Sequence, residues 1–142
     1  MDLEILIVEL AGRHYGVPLA VVREVFALGP LTPVPTAPAA VAGVANLRGQ
    51  VIAVLDLMRL LDLGLHRLRL GDPVVLVEAD GTRAGLLVDR VVGLVGPHGA
   101  PVDPASRPEL IDVAGLLQVL RAEIAPAAPP EREAPAPAGA RA

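Results

Sequence analysis

The chain has 142 residues, is 53% hydrophobic, carries a formal charge of −4, and contains one Tyr, one Phe and neither Trp nor Cys. That composition excludes a disulfide framework and Cys-ligated metal. At roughly 68% burial of the unfolded surface for a domain of this size, Val, Leu, Ile and Ala suffice for one aliphatic core.

In chain order, Leu3 to Leu10 reads as a strand with apolar residues on both faces, ended by Gly12. Tyr15 to Leu19 and Val21 to Leu28 follow as further strand candidates, the second holding the charged pair Arg23-Glu24 among aliphatics. Residues Gly29 to Pro38 contain four prolines and predict an extended connection. Ala39 to Asn46 is expected to make one or two helical turns. Asn46-Leu47-Arg48-Gly49 then predicts a turn, Gln50 to Leu57 a strand, and Leu57 to Leu63 a short helix, since Leu57, Leu60 and Leu61 recur at helical spacing.

The strongest local signal is a hairpin, Pro73 to Ala79 and Thr82 to Val88 around Asp80-Gly81, because Asp-Gly suits a tight turn between apolar strands. Asp89 to Val95 is expected to continue that ladder. Gly96 to Pro108 is a Pro-rich loop, Leu110 to Val113 a short strand candidate, and Ala114 to Ile124 a helix with Leu116, Leu117 and Leu120 on one side. Many short strands with small helices point to an all-β barrel or sandwich spanning residues 1–124. Residues 125–142 hold five Pro and eight Ala without a large aliphatic. This composition predicts a disordered tail.

All twelve basic residues are Arg, none clustered with aromatics, which argues against direct nucleic-acid binding. The uncharged stretch Gly29 to Leu47 is too broken by proline for a membrane span. The acidic start Met1-Asp2-Leu3-Glu4 is unlike a secretory signal, so a cytoplasmic location is expected. The chain offers no Cys, no Lys and a single Ser, Ser106, as nucleophile. His14, His66 and His98 lie on separate segments without metal-ligand spacing. Asp56/Asp62 and Asp103/Glu109 read as turn and cap residues rather than acid–base pairs. The expectation is therefore a non-enzyme without metal or cofactor.

Two features exceed what packing requires: Glu24 in an otherwise apolar strand, and Gly43-Val44-Ala45-Asn46-Leu47-Arg48-Gly49, a tight connection with one Arg near its apex. The plain reading of Glu24 and Arg48 is a solvated pair worth about 0–1 kcal/mol. A charged residue among aliphatics at an interface also supplies specificity and register.

At these residues the sequence resembles the CheW family of chemosensory couplers. The matching pieces are Tyr15-Gly16-Val17-Pro18-Leu19, Val22-Arg23-Glu24-Val25, Val34-Pro35, Pro38, then Gly43 through Val51, Val54-Leu55-Asp56-Leu57, and Gly85 through Val91. The resemblance implies an all-β fold of two small SH3/OB-like barrels sharing a core. It further implies a non-catalytic adaptor located in chemosensory arrays. Its implied partners are the cytoplasmic tip of methyl-accepting chemoreceptors, the regulatory domain of the CheA-type histidine kinase, and other CheW-like couplers, with no direct contact to nucleic acid or membrane. By similarity, Glu24 and Arg48 are the coupling positions, with Val22, Gly43, Asn46 and Leu47 shaping the same partner-binding groove.

The pattern departs after Val91, where family members carry a longer stretch with additional strands. The second barrel is therefore expected to lack strands, and the chain to be a short, divergent, FrzB-like member with weakened or lost kinase binding. The alternative from another class is a small barrel that binds a ligand or nucleic acid; charge and aromatic content disfavour it.

Overall fold

The computed structural model describes residues 4–35, 37–64, 66–96 and 109–124. The Pro-rich segment 97–108 and the proposed tail 125–142 lie outside these residues. Two sheets form. One has four strands in the order β8-β1-β2-β9, built from β1 (Ile5–Leu10), β2 (Arg13–Pro18), β8 (Arg90–Val95) and the two-residue β9 (Glu109–Leu110). The other has five in the order β3-β6-β7-β5-β4, from β3 (Val22–Ala27), β4 (Val41–Leu47), β5 (Gln50–Asp56), β6 (Pro73–Ala79) and β7 (Thr82–Leu87). Helices α1 (Leu57–Leu60) and α2 (Val113–Ile124) complete the elements.

Period-two alternation explains how the sheets share one core. Leu6, Val8 and Leu10 of β1 project with Val17 and Tyr15 of β2 toward Leu55, Val75, Val77, Ala84 and Leu86 of the five-stranded sheet. Ile111, Val113 and Leu117, from β9's exit and α2, join the same cluster. Each Leu, Val or Ile among them contributes about 1.5–3 kcal/mol by leaving water. A second cluster, Leu28, Ala45, Val54, Val74 and Leu87 with Phe26, Leu31 and Ala42 against it, covers one end of the opposite face of the five-stranded sheet.

The all-β expectation holds, with open sheets in place of closed barrels among the described residues. The smaller sheet is the one that takes in the C-terminal strands, where the sequence placed the shortage. Three local expectations change. Ala39 to Asn46 is not helical: Val41–Leu47 pairs along β5 through a two-residue turn, and that ladder overrides the helix propensity of its alanines. Arg90–Val95 does not extend the Asp80-Gly81 hairpin but crosses to pair with β1. Only Glu109–Leu110 of the last strand forms, parallel to β2, and the helix begins at Val113.

The free edge of β4 is closed by a bridge in which Thr32 and Val44 exchange two N–H···O bonds of 2.9 Å. This close approach needs Gly43, whose φ is +157°; a Cβ there would lie 2.9 Å from the Thr32 carbonyl oxygen and 3.1 Å from Leu31 Cβ. Gly43→Ala is expected to destabilise the fold by about 1–3 kcal/mol, read from urea denaturation. A change below about 0.5 kcal/mol would show that the bridge yields freely.

Candidate functional site

A groove of about 280 Å³ opens on the outer face of the five-stranded sheet, lined by Arg23, Glu24, Leu47, Arg48, Gln50, Leu76 and Arg83. Strand register puts these residues together. Glu24 lies opposite Leu76, and Glu78 opposite Arg83 across the β6–β7 hairpin, so Glu24, Leu76, Glu78 and Arg83 share one face. That face is the one the second cluster leaves open.

A bulge between Val22 and Glu24 aims the acidic residue. Val22 sits opposite Val77 and packs on the main core, Arg23 is the extra residue, and Glu24 then falls on the groove face. Bulges re-aim side chains in this way. Arg48 arrives from the β4–β5 turn, where Arg48 and Gly49 have φ of +50° and +85°. This geometry matches the strand twist in a two-residue hairpin, and it costs a non-glycine residue such as Arg48 about 1–2 kcal/mol. Asn46 offsets part of that cost, its Oδ1 accepting from the Gly49 N–H at 2.9 Å.

The Arg48 guanidinium donates to Glu24 Oε1. This hydrogen bond, and then the charge of Glu24, raises the Arg48 pKa above the ordinary guanidinium value. The pair remains open to water, with side-chain exposures of 68% for Arg48 and 32% for Glu24, so its groups stay available to a partner. Beside it, Glu78 Oε1 accepts from Arg23 Nε at 3.0 Å and Arg83 Nε at 3.2 Å, while Arg83 Nη1 donates to Gln50 Oε1 at 2.8 Å. Arg23 and then Arg83 hold the Glu78 carboxyl below its ordinary value. A carboxylate depressed in this way keeps its pairs at neutral pH and releases them only as pH falls through the folded-state value.

Of the six residues singled out in the sequence, Glu24, Leu47 and Arg48 line the groove. Asn46 closes the turn that presents Arg48, and Gly43 seats the edge of β4 against Thr32. Val22 does not line this groove: the bulge turns it, half-buried, against the main core. Sequence reasoning missed Arg23, Gln50, Leu76, Glu78 and Arg83. The signal for Glu78 and Arg83 was present, since a two-residue Asp80-Gly81 turn pairs 79 with 82 and 78 with 83.

The lining is polar and cationic with two apolar residues, Leu47 and Leu76, and includes neither a histidine nor a nucleophile. Among the described residues no group of three or more His, Asp and Glu could hold a metal ion, and no helix is long and apolar enough to cross a membrane. What the arrangement offers is an exposed, charge-patterned groove on a sheet face.

Comparison with known proteins gives the same direction. The CheW-like domain model matches residues 4–126. The chemotaxis protein CheW of Treponema pallidum is 27% identical over 107 residues, covering 72% of this chain and 62% of that protein. Protein FrzA of Myxococcus xanthus is 39% identical over 79 residues, covering 56% and 49%. The crystal structure of scaffolding protein TtCheW from Thermoanaerobacter tengcongensis superposes with a TM-score of 0.60 at 32% identity, covering 75% of this chain and 66% of that one. The matches thus span less than two thirds of each of these relatives' own length. By the match of residues 4–126, the chain belongs to the CheW-like domain family.

Proposed function

We propose that this chain is a non-catalytic adaptor of a chemosensory array that seats the cytoplasmic tip of a methyl-accepting chemoreceptor in the Glu24–Arg48 groove. The observation that carries this reading is the pairing itself: two residues 24 positions apart in sequence, each presented by a special backbone feature, meet on an exposed face. A helical tip with polar and aliphatic residues fits a groove that has charged walls and Leu76 and Leu47 between them. Charges at such a surface set partner choice and register more than raw affinity.

Membership of the CheW-like family and the likeness to a scaffolding protein support the adaptor role. The array location and the kinase's regulatory domain as second partner are part of the same proposal. Contact with the kinase is weakened or lost: the four-stranded sheet ends on a strand of two residues.

The test is binding of the purified full chain to a receptor-tip fragment and, separately, to the kinase regulatory domain. Receptor-tip binding that falls at least about tenfold on Arg48→Glu, with weaker kinase binding, is the expected result. Strong kinase binding without receptor binding overturns the proposal.

A further inference from the structure

Toward the opposite end of β3 and β5 from the groove, roughly 10–20 Å away along the strands, the connection from α1 to β6 presents Arg67-Leu68-Arg69-Leu70 to solvent. Leu68 is 47% and Leu70 76% exposed, among the most exposed large apolar residues described. Arg59, Arg67 and Arg69 are exposed and, among the described residues, form no ion pair or side-chain hydrogen bond. By contrast, Arg23, Arg48, Arg83 and Arg90 are each paired.

The loop is held at both stems. At one, the Asp56 carboxylate accepts from the Arg59 N–H at 3.2 Å and the His66 N–H at 2.9 Å, so α1 and the loop share one acceptor and their arginines lie on neighbouring backbone. At the other, Gly71 N–H donates to Leu28 O at 2.8 Å and Leu28 N–H to Asp72 O at 2.7 Å. His66, its side chain 2% exposed, lies between Asp72 and Asp89 at 3.5 Å from each, and its Nδ1 has no hydrogen-bond partner among the described residues. Ordered stems lower the entropy cost of docking at the tip.

We propose that Arg59 and the 67–70 loop form a second docking surface, for an acidic protein segment carrying leucine-like side chains between its carboxylates. Guanidinium forks match carboxylates in bidentate geometry, and two exposed leucines flanked by cations match an apolar stripe bordered by acids. The chain's overall charge of −4 opposes approach to an extended polyanion such as a lipid surface or a nucleic acid, whereas a short acidic segment meets the local balance, Arg59, Arg67 and Arg69 against the exposed Asp62 and the largely covered Asp72. The surface is independent of the receptor proposal, since no groove residue belongs to it.

The probe is a fluorescent helical peptide with Glu and Leu on one face, titrated with the full chain. Its Lys-for-Glu counterpart and anionic phosphatidylserine vesicles serve as the other arms. Expected are binding to the acidic peptide alone, about tenfold weakening by Arg67→Glu with Arg69→Glu, clear weakening by Leu70→Ser, and no change on Arg48→Glu. The substituted loop side chains are exposed, so the variants keep the fold. Equal affinity in the loop variants, preference for the vesicles, or no peptide binding overturns the proposal.

Discussion

Asp56→Ala is expected to cost about 2–4 kcal/mol of folding stability, the largest effect of any single polar substitution in the described residues. Asp56 is 6% exposed, and its two carboxylate oxygens each accept a backbone N–H, from Arg59 in α1 and from His66 in the following loop. Alanine would leave both donors without a partner at a site water barely reaches, and each buried unsatisfied group costs about 1–3 kcal/mol. The helix cap is lost at the same stroke, which alone typically costs about 1 kcal/mol. Asp56→Asn keeps one oxygen acceptor and sets an amide donor against the other N–H, so its loss should be intermediate. Urea denaturation with an unchanged m value measures both. An alanine variant within about 0.5 kcal/mol of the parent would mean that the loop rearranges to satisfy His66 by another route.

This residue also marks how far the sequence could be read. Asp56 was legible as a cap because it precedes the Leu57, Leu60, Leu61 spacing. Its second bond, to His66, was not, since nothing local brings residue 66 back to residue 56. The same division runs through the fold. The Asp80-Gly81 hairpin was legible because Asp and Gly tolerate the positive φ that both adopt, +52° and +80°. The turn at Arg48-Gly49 has nearly the same angles, +50° and +85°. Asn46-Leu47-Arg48-Gly49 is legible as a turn, but Arg does not mark it as a two-residue hairpin turn, so Ala39 to Asn46 reads as helical turns rather than as the hairpin's first strand. Strand β8 was legible as a strand and misplaced, because pairing between Val8 and Val91 is set by the shared core rather than by local pattern.

The site divides in the same way. Glu24 and Arg48 stood out as charges among aliphatics, and the fold joins them. The β3 bulge cannot be read from Val22-Arg23-Glu24, so Val22 was assigned to the groove although its partner is Val77 in the core. Glu78 and Arg83 look like ordinary solvated charges flanking a hairpin turn: their pairing follows from the Asp80-Gly81 turn, but that Arg83 lines the wall beside Glu24 and Glu78 bonds Arg23 and Arg83 there does not.

Arg48→Glu is expected to abolish receptor-tip binding, and the charge exchange Glu24→Arg with Arg48→Glu to leave it abolished. The single change puts a second carboxylate against Glu24 and removes the cation at the turn, which costs the partner a favourable contact and adds a repulsive one. Folding stability should move little in either variant, because an exposed pair of this kind is worth about 0–1 kcal/mol and Arg48 is 68% exposed. The exchange separates two roles that the single change confounds. It restores an ion pair of the same two groups in reversed positions, so a purely structural pair would recover binding along with the pair. A partner that reads a cation at the turn and an anion on β3 would not bind, since both contacts are then of the wrong sign. Titration of a receptor-tip fragment onto the parent and both variants, with thermal denaturation to verify folding, measures this. Recovery of parental affinity in the exchanged variant would assign Glu24 and Arg48 to holding the turn in place and move recognition to Arg23, Leu76 and Arg83 along the same groove.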